Sequence, residues 1–438
     1  MPSKFTALFR NDYFASAFKK GNTIVWGLLS TICLNRALGP ELRGEYGYYM
    51  NLLSILVVVY GWGFASIYPN YVRRGHPNAQ QTFLHVYVTQ LALLVGSCGA
   101  FSAIIGDWRV LLFGFMAATS VFATQTNNLL LVQSVRKSAY VVVAAALLNV
   151  LMLGAMMWLR PRDLLLAYAA YSVNSVVVGV ISAGLGGVGL KPWSLSWSAA
   201  RSIIATGFIP MLTNVLVVIN YRIDVVMLGW LHVDYYYIGL YAVGVSVAEY
   251  CWVIPDAFKD VMINRTAKDK AITSLTFSLR VSMTILVVIF VVLVFACRFL
   301  ISLAYGSAFA EASNVTILML VGVYSMVYAK ILGVSYLSSG RWVFYFRVLL
   351  IASIANVGLN LVAIPTWGIY GAATVSVATY TLAGAWFLVS FLRENSVRIR
   401  DVVWVRRADV AAVRHLISSA TRREFDGDSP PSDDPTKG

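Results

Sequence analysis

Three features predict an all-α polytopic membrane protein, with about twelve transmembrane helices in two six-helix pseudo-symmetric halves around a central cavity. The 438 residues are 59% hydrophobic and only 12% charged. Apolar runs recur that reach the ~20 residues a helix needs to cross ~30 Å of hydrocarbon. Similar turn motifs stand at matched places in the two halves. The connections between runs are short, and none could hold a soluble catalytic domain.

In order, the spans are expected near 21–38, 46–70, 82–105, 109–134, 139–159, 164–186, 202–228, 236–258, 279–302, 314–338, 343–365 and 369–392. Residues 1–20 are polar and basic, read as a cytoplasmic surface segment with no cleavable secretory signal. Residues 21–190 form the N-terminal bundle and 191–393 the C-terminal bundle. Residues 394–425 place Val402, Val403, Trp404, Val410 and Leu416 among arginines, as an interfacial amphipathic tail does. Residues 426–438, with Pro430, Pro431 and several acids, are expected to be disordered.

The charge of +14 is distributed by side. With the N-terminus inside, Lys4, Arg73, Arg136, Lys191, Lys268, Arg341 and the basic tail gather on one face. Only Arg43, Arg109, Arg160, Arg162 and Arg298 fall on the other. That is a positive-inside pattern, placing both termini in the cytoplasm and the 38–46 turn outside. It explains the basic balance better than nucleic acid does. The four cysteines lie in separate apolar segments and the four histidines are scattered, so neither a disulfide nor a metal site is expected. No cofactor is expected.

The repeat is read from Leu38-Gly39-Pro40-Glu41-Leu42-Arg43-Gly44-Glu45-Tyr46 and from Leu228-Gly229 followed by Ile238-Gly239-Leu240-Tyr241. Both are Leu-Gly, a polar turn, then Gly-x-Tyr opening a helix. Six spans per half preserve orientation, so the halves are related by an axis along the membrane normal. Within the second repeat stand Arg222 and Asp224. One charge at a helix centre costs about 2.5–3.5 kcal/mol or more, so such residues face protein or water and mark function by default.

These residues resemble the lipid-linked oligosaccharide flippases, the Wzx-like polysaccharide-transporter branch of the superfamily that also holds MATE exporters. The resemblance rests on Arg36-Ala37-Leu38-Gly39-Pro40-Glu41 with Gly44-Glu45-Tyr46, and on Tyr221-Arg222-Ile223-Asp224 with Met227-Leu228-Gly229, Gly239-Leu240-Tyr241 and Pro255. Asn356, Asn360, Ile364-Pro365 and Gly368-Ile369-Tyr370-Gly371 complete it. It implies a non-enzymatic carrier in the bacterial inner membrane, moving isoprenoid-pyrophosphate-linked glycan between leaflets by alternating access. A monomer suffices, with polysaccharide-assembly proteins as candidate neighbours. The turn between spans seven and eight departs from the pattern, being unusually aromatic with Trp230, Tyr235, Tyr236 and Tyr237.

Such a cargo needs cations and hydrogen-bond donors, and the planar fork of arginine suits phosphate. Arg36, Arg222 and Lys330 are the cationic candidates, each with a snorkelling or gating reading beside it. Asn214 and Asn220 are candidates for sugar hydroxyls, and Tyr221, Trp26 and Trp252 for sugar faces. Asn356 and Asn360 read better as interhelical packing. Asp224 and Glu249 are candidates for gating or for coupling to protons or sodium. Asp224 is expected to have Arg222 beside it, and Glu249 to lack a partner. A MATE-type cation-coupled exporter shares the expected fold but should have acids dominating its cavity. A membrane-embedded glycan-processing enzyme should carry a sizeable charged outer loop, which is absent here.

Overall fold

The computed structural model describes residues 12–76, 78–159, 162–187, 197–256, 271–406 and Asp409, with only the backbone at 12–20 and Ala271. Among these residues nine stretches are helical, long and apolar enough to cross a membrane. Two of them, Gly21–Arg73 and Trp342–Asn395, each fold into two arms at a single glycine, Gly39 (φ 73°) and Gly368 (φ 57°). A further helix, Trp108–Gln133, brings the number to twelve. They are α1 (12–38), α2 (40–61, continued by Phe64–Arg73), α3 (Ala79–Ile105), α4 (Trp108–Gln133), α5 (Val135–Leu159) and α6 (Leu164–Leu185) in the first half. The second half has α7 (Trp197–Trp230), α8 (Tyr235–Asp256), α9 (Ala271–Tyr305), α10 (Ala312–Ser338), α11 (342–367) and α12 (369–395). A short α13 (Arg400–Val403) follows.

Local chemistry sets the helix ends. Asp107, Asp163 and Asp234 each accept a hydrogen bond from a backbone N–H two residues on, capping α4, α6 and α8 at one end of the molecule. At Gly39 the chain turns without a loop: glycine accepts the positive φ, and Pro40 supplies the preset φ of a first helical position. The expected polar turn over 38–46 is therefore absent, and Arg43 and Gly44 lie in the first turns of α2. Nor does a break separate a surface segment from the first span, because α1 is already helical at Asp12. The expectations for residues 1–11 and 410–438 lie outside the described residues.

The two Gly-x-Tyr motifs meet. A Cβ at Gly44 would fall 1.8 Å from the Tyr235 carbonyl oxygen, and one at Gly239 would fall 1.9 Å from the Pro40 carbonyl oxygen. The starts of α2 and α8 thus cross backbone against backbone, which only glycine permits. The repeat read from sequence is a self-complementary contact on the axis between the halves. It closes the Gly39 end of the interface. Beside it, Arg36 of α1 donates to the Ala304 and Leu303 carbonyls at 2.7 and 2.5 Å, covering the C-terminus of α9. Here its positive charge meets the negative end of the helix dipole.

The described part of the tail is pinned to α9. Arg280 on α9 donates to both Asp409 carboxylate oxygens at 2.7 Å and to the Asp401 carbonyl at 2.7 Å. Val402 is wholly buried in the core of the second half.

Candidate functional site

Helical periodicity separates Arg222 from Asp224. Two residues at about 100° each put them on opposite faces of α7. Arg222 reaches α8 and bonds Glu249 at 3.2 Å. The expectation that Glu249 lacks a partner is overturned, as is that of Arg222 as the ion-pair partner of Asp224. Asp224 instead turns into the second half, where it is 2% exposed and accepts from the hydroxyls of Tyr241 (α8) and Ser376 (α12).

The Arg222 side chain stays 39% accessible on a helix packed against both halves, and Arg43 of the first half lies within its electrostatic reach. Glu249, 12% accessible, lies beside it, and its Oε1 is buried without a hydrogen-bond partner. Glu249 closes the α-helical part of α8, and residues 250–252 form a 3-10 turn. Such a turn inside a helix marks a candidate hinge. From the first half, Thr31 of α1 meets the Tyr250 hydroxyl at 3.3 Å.

Arg43 of α2 is the residue that sequence reasoning missed. It faces inward between the halves, within electrostatic reach of Arg222, Tyr250 and Tyr305, and bonds Asn35 Oδ1 at 2.7 Å. The sequence places it in an outer loop if Gly39-Pro40 is the start of a turn. Read as a helix N-terminus, the same dipeptide places Arg43 inside the span.

Further along α8, Asp256 holds Lys330 of α10 by both oxygens at 3.1 Å. The ammonium stands 4.6 Å from the Trp252 ring centre and 5.7 Å from that of Tyr221. These rings pack on each other at 5.1 Å and on Tyr380 at 5.8 and 6.0 Å. Tyr221 and Trp252 therefore form a cage for Lys330, a different task from stacking on sugar. Such a cage favours the cation by about 0.5–2 kcal/mol.

Other candidates separate from this cluster. Asn220 bonds the Leu349 carbonyl and Ser353 Oγ at 3.2 and 2.5 Å, tying α7 to α11. Asn356 bonds Thr379, and Asn360 bonds Asn356, as the packing reading expects. Asn214 is exposed. Trp26 is half-buried and bonds Asn22 one turn away. Arg36 stands at the closed end. Among the described residues no group of His, Cys, Asp and Glu could hold a metal ion.

No protein-family model and no curated protein matches the chain. Solved structures share its architecture. An inward-facing MATE-family multidrug resistance transporter of the MOP superfamily superposes with a TM-score of 0.67 at 14% identity, covering 86% of this chain and 95% of that one. The lipid II flippase MurJ in an inward closed conformation gives 0.71 at 12% identity, covering 96% and 93%. A Vibrio cholerae MATE transporter gives 0.55 at 12% identity, covering 90% and 98%. The chain has the fold of these transporters. The expected two-lobe, twelve-helix membrane architecture is therefore found. At such identities the likeness concerns fold, and function has to be argued from the site.

Proposed function

We propose that the protein carries isoprenoid-pyrophosphate-linked oligosaccharide from the inner to the outer leaflet of a bacterial cytoplasmic membrane by alternating access, as a non-enzymatic step of surface polysaccharide assembly. One observation carries this reading: Arg222 faces the space between the halves with a single, incompletely bonded carboxylate partner and a second arginine, Arg43, within electrostatic reach. Asp224 points away, so among the described residues Arg222, Arg43 and Glu249 gather at that space, with the Lys330–Asp256 pair beside them. A pyrophosphate arriving there displaces Glu249 from Arg222 and gains bidentate hydrogen bonds. Glu249 is then the gating group and takes up the coupling proton or sodium ion; Asp224, held by two hydroxyls, is the fallback. The charge asymmetry of the loops supports both termini in the cytoplasm and the Gly39 end outside. The closed Gly39 end is then the outward gate, and the cycle opens it by rocking one half against the other.

A MATE-type exporter of organic cations is the second reading, favoured by the three carboxylates Asp224, Glu249 and Asp256 along α7 and α8. Depletion of the protein in its host separates the two. The flippase reading expects lipid-linked glycan to accumulate on the inner leaflet. Unchanged glycan distribution with raised sensitivity to cationic compounds would support the exporter.

A further inference from the structure

A cleft of about 1080 Å³ lies at the closed Gly39 end, outside the charge cluster just described. Both halves build it, from the α1–α2 corner, the end of α5, the start of α8 and the turn after α9. Its size is that of a ligand site rather than a packing defect. Three observations bear on what it takes.

The first is Asn35. The residue is wholly buried at 0% exposure and lines the cleft, and its Nδ2 has no hydrogen-bond partner. Its Oδ1 is already committed to Arg43. A buried amide donor left unpaired costs about 1–3 kcal/mol, so the side chain gains from any acceptor that a small rotation toward the cleft would give it. The second is charge: among the described residues Arg36 and Arg162 line the cleft against one acid, Glu41. The third is the pair of rings, Trp158 at 82% exposure and Tyr236 at 37%. Tyr236 belongs to the aromatic turn that departs from the flippase pattern. Rings with an apolar face and a polar edge, set among donors and one acceptor, match a sugar with its flat C–H face and its hydroxyl rim. The surplus arginine matches a carboxylate on that sugar.

We propose that this cleft is a second binding site, for an acidic saccharide at the exit end of the transporter, separate from the pyrophosphate-binding cluster. The proposal rests on the flippase reading for its place in the cycle, though the cleft's chemistry is its own. Asn35 joins the two sites: the residue lines the cleft, and its side-chain oxygen holds Arg43 between the halves. A saccharide accepting from Nδ2 fixes the amide and so holds Arg43 in place. The exit site thereby senses glycan that has left the central space.

The test uses the full chain in lipid nanodiscs with two water-soluble probes, tetragalacturonate and neutral maltotetraose. Tetragalacturonate should bind at least fivefold more tightly than maltotetraose. Trp158→Ala and Arg162→Gln, both at exposed positions, should each weaken it about tenfold. Trp404→Ala, at an exposed position of the tail outside both sites, should leave it unchanged. Absence of tetragalacturonate binding overturns the proposal, as does binding that both cleft variants retain. Displacement of the probe by phosphatidylglycerol, with no saccharide selectivity, assigns the cleft to lipid phosphate and also overturns it. Wild type that moves lipid-linked glycan but binds no tetragalacturonate refutes the exit site alone. Wild type that binds tetragalacturonate but moves no glycan keeps the site and refutes the flippase reading.

Discussion

The two halves are alike in topology and unlike in interior. In the second half one contiguous core runs from Val225 to Val402 and includes Tyr241, Met319, Ile331 and Phe387. The first half, with the start of α7, has three smaller cores: around Phe64 and Phe83, around Leu38 and Met156, and around Leu53 and Leu94. Buried charge follows the same division. Asp224, the Arg222–Glu249 pair and the Lys330–Asp256 pair all sit in the second half. In the first half the side chains of α3 and α4 meet through neutral amides, Gln125 donating to Gln90 at 2.5 Å. Charges at membrane depth survive only where a rigid surround fixes their partners. The difference assigns the ionic machinery to the second half. The first half, with its divided cores, contributes Arg43 at the interface.

The largest expected effect breaks this comparison at its centre. Arg222→Ala should lower glycan transport on the order of a hundredfold at matched membrane level, the worth of about 3 kcal/mol of charge-assisted bonding. Arg222→Lys should recover only part, because the fork is lost. Glu249→Gln should preserve cargo binding and remove stimulation by an imposed proton or sodium gradient in vesicles. Equal stimulation in both proteins would pass the coupling role to Asp224.

The contact on the axis is the next place to press. Gly239→Val puts a branched side chain where the Pro40 carbonyl lies, so the Gly39 end should be unable to close. A cysteine at Leu42 should then react with an impermeant thiol reagent several times faster than in wild type. Unchanged reactivity would mean that the ends of α2 and α8 do not form the gate.

A smaller effect compares the two interiors directly. Tyr241→Phe leaves the buried Asp224 carboxylate one donor short and should destabilise the protein by about 1–3 kcal/mol in a detergent melt. Gln125→Leu in the first half removes one partner of a neutral pair and should cost less, about 1 kcal/mol. The reverse order would contradict the assignment of rigidity to the second half.

How legible this was in sequence differs by element. The twelve spans and the repeat were readable because hydrophobic length and Gly-x-Tyr spacing are local signals. The Gly39 corner was misread because Leu-Gly-Pro-Glu is as good a polar turn as a helix start, and that error hid Arg43. The partners of Glu249 and Asp224 are not legible in sequence, because residues two apart on a helix face opposite ways and Glu249 meets Arg222 from 27 positions away. The cage around Lys330 and the clamp from Arg280 to Asp409 join residues 74 to 129 positions apart, beyond any local pattern.

The tail supplies the smallest predicted effect. The Arg280 guanidinium holds the Asp409 carboxyl below its ordinary value near 3.8. A lowered carboxylate pKa stabilises the docked tail above the ordinary value, and that stabilisation is lost as pH falls through the lowered one. Protease protection of residues 397–406 should therefore persist at pH 5 and disappear only in stronger acid. Asp409→Asn should reduce protection at every pH.

The most direct test of the central claim is reconstitution of the purified protein in vesicles that hold a fluorescent isoprenoid-pyrophosphate-linked glycan, with leaflet exposure read by an impermeant quencher. Wild type should move the glycan between leaflets, Arg222→Ala should not, and neither should drive efflux of a lipophilic organic cation. Gradient-driven cation efflux by wild type, with the glycan left in its original leaflet, would contradict the account.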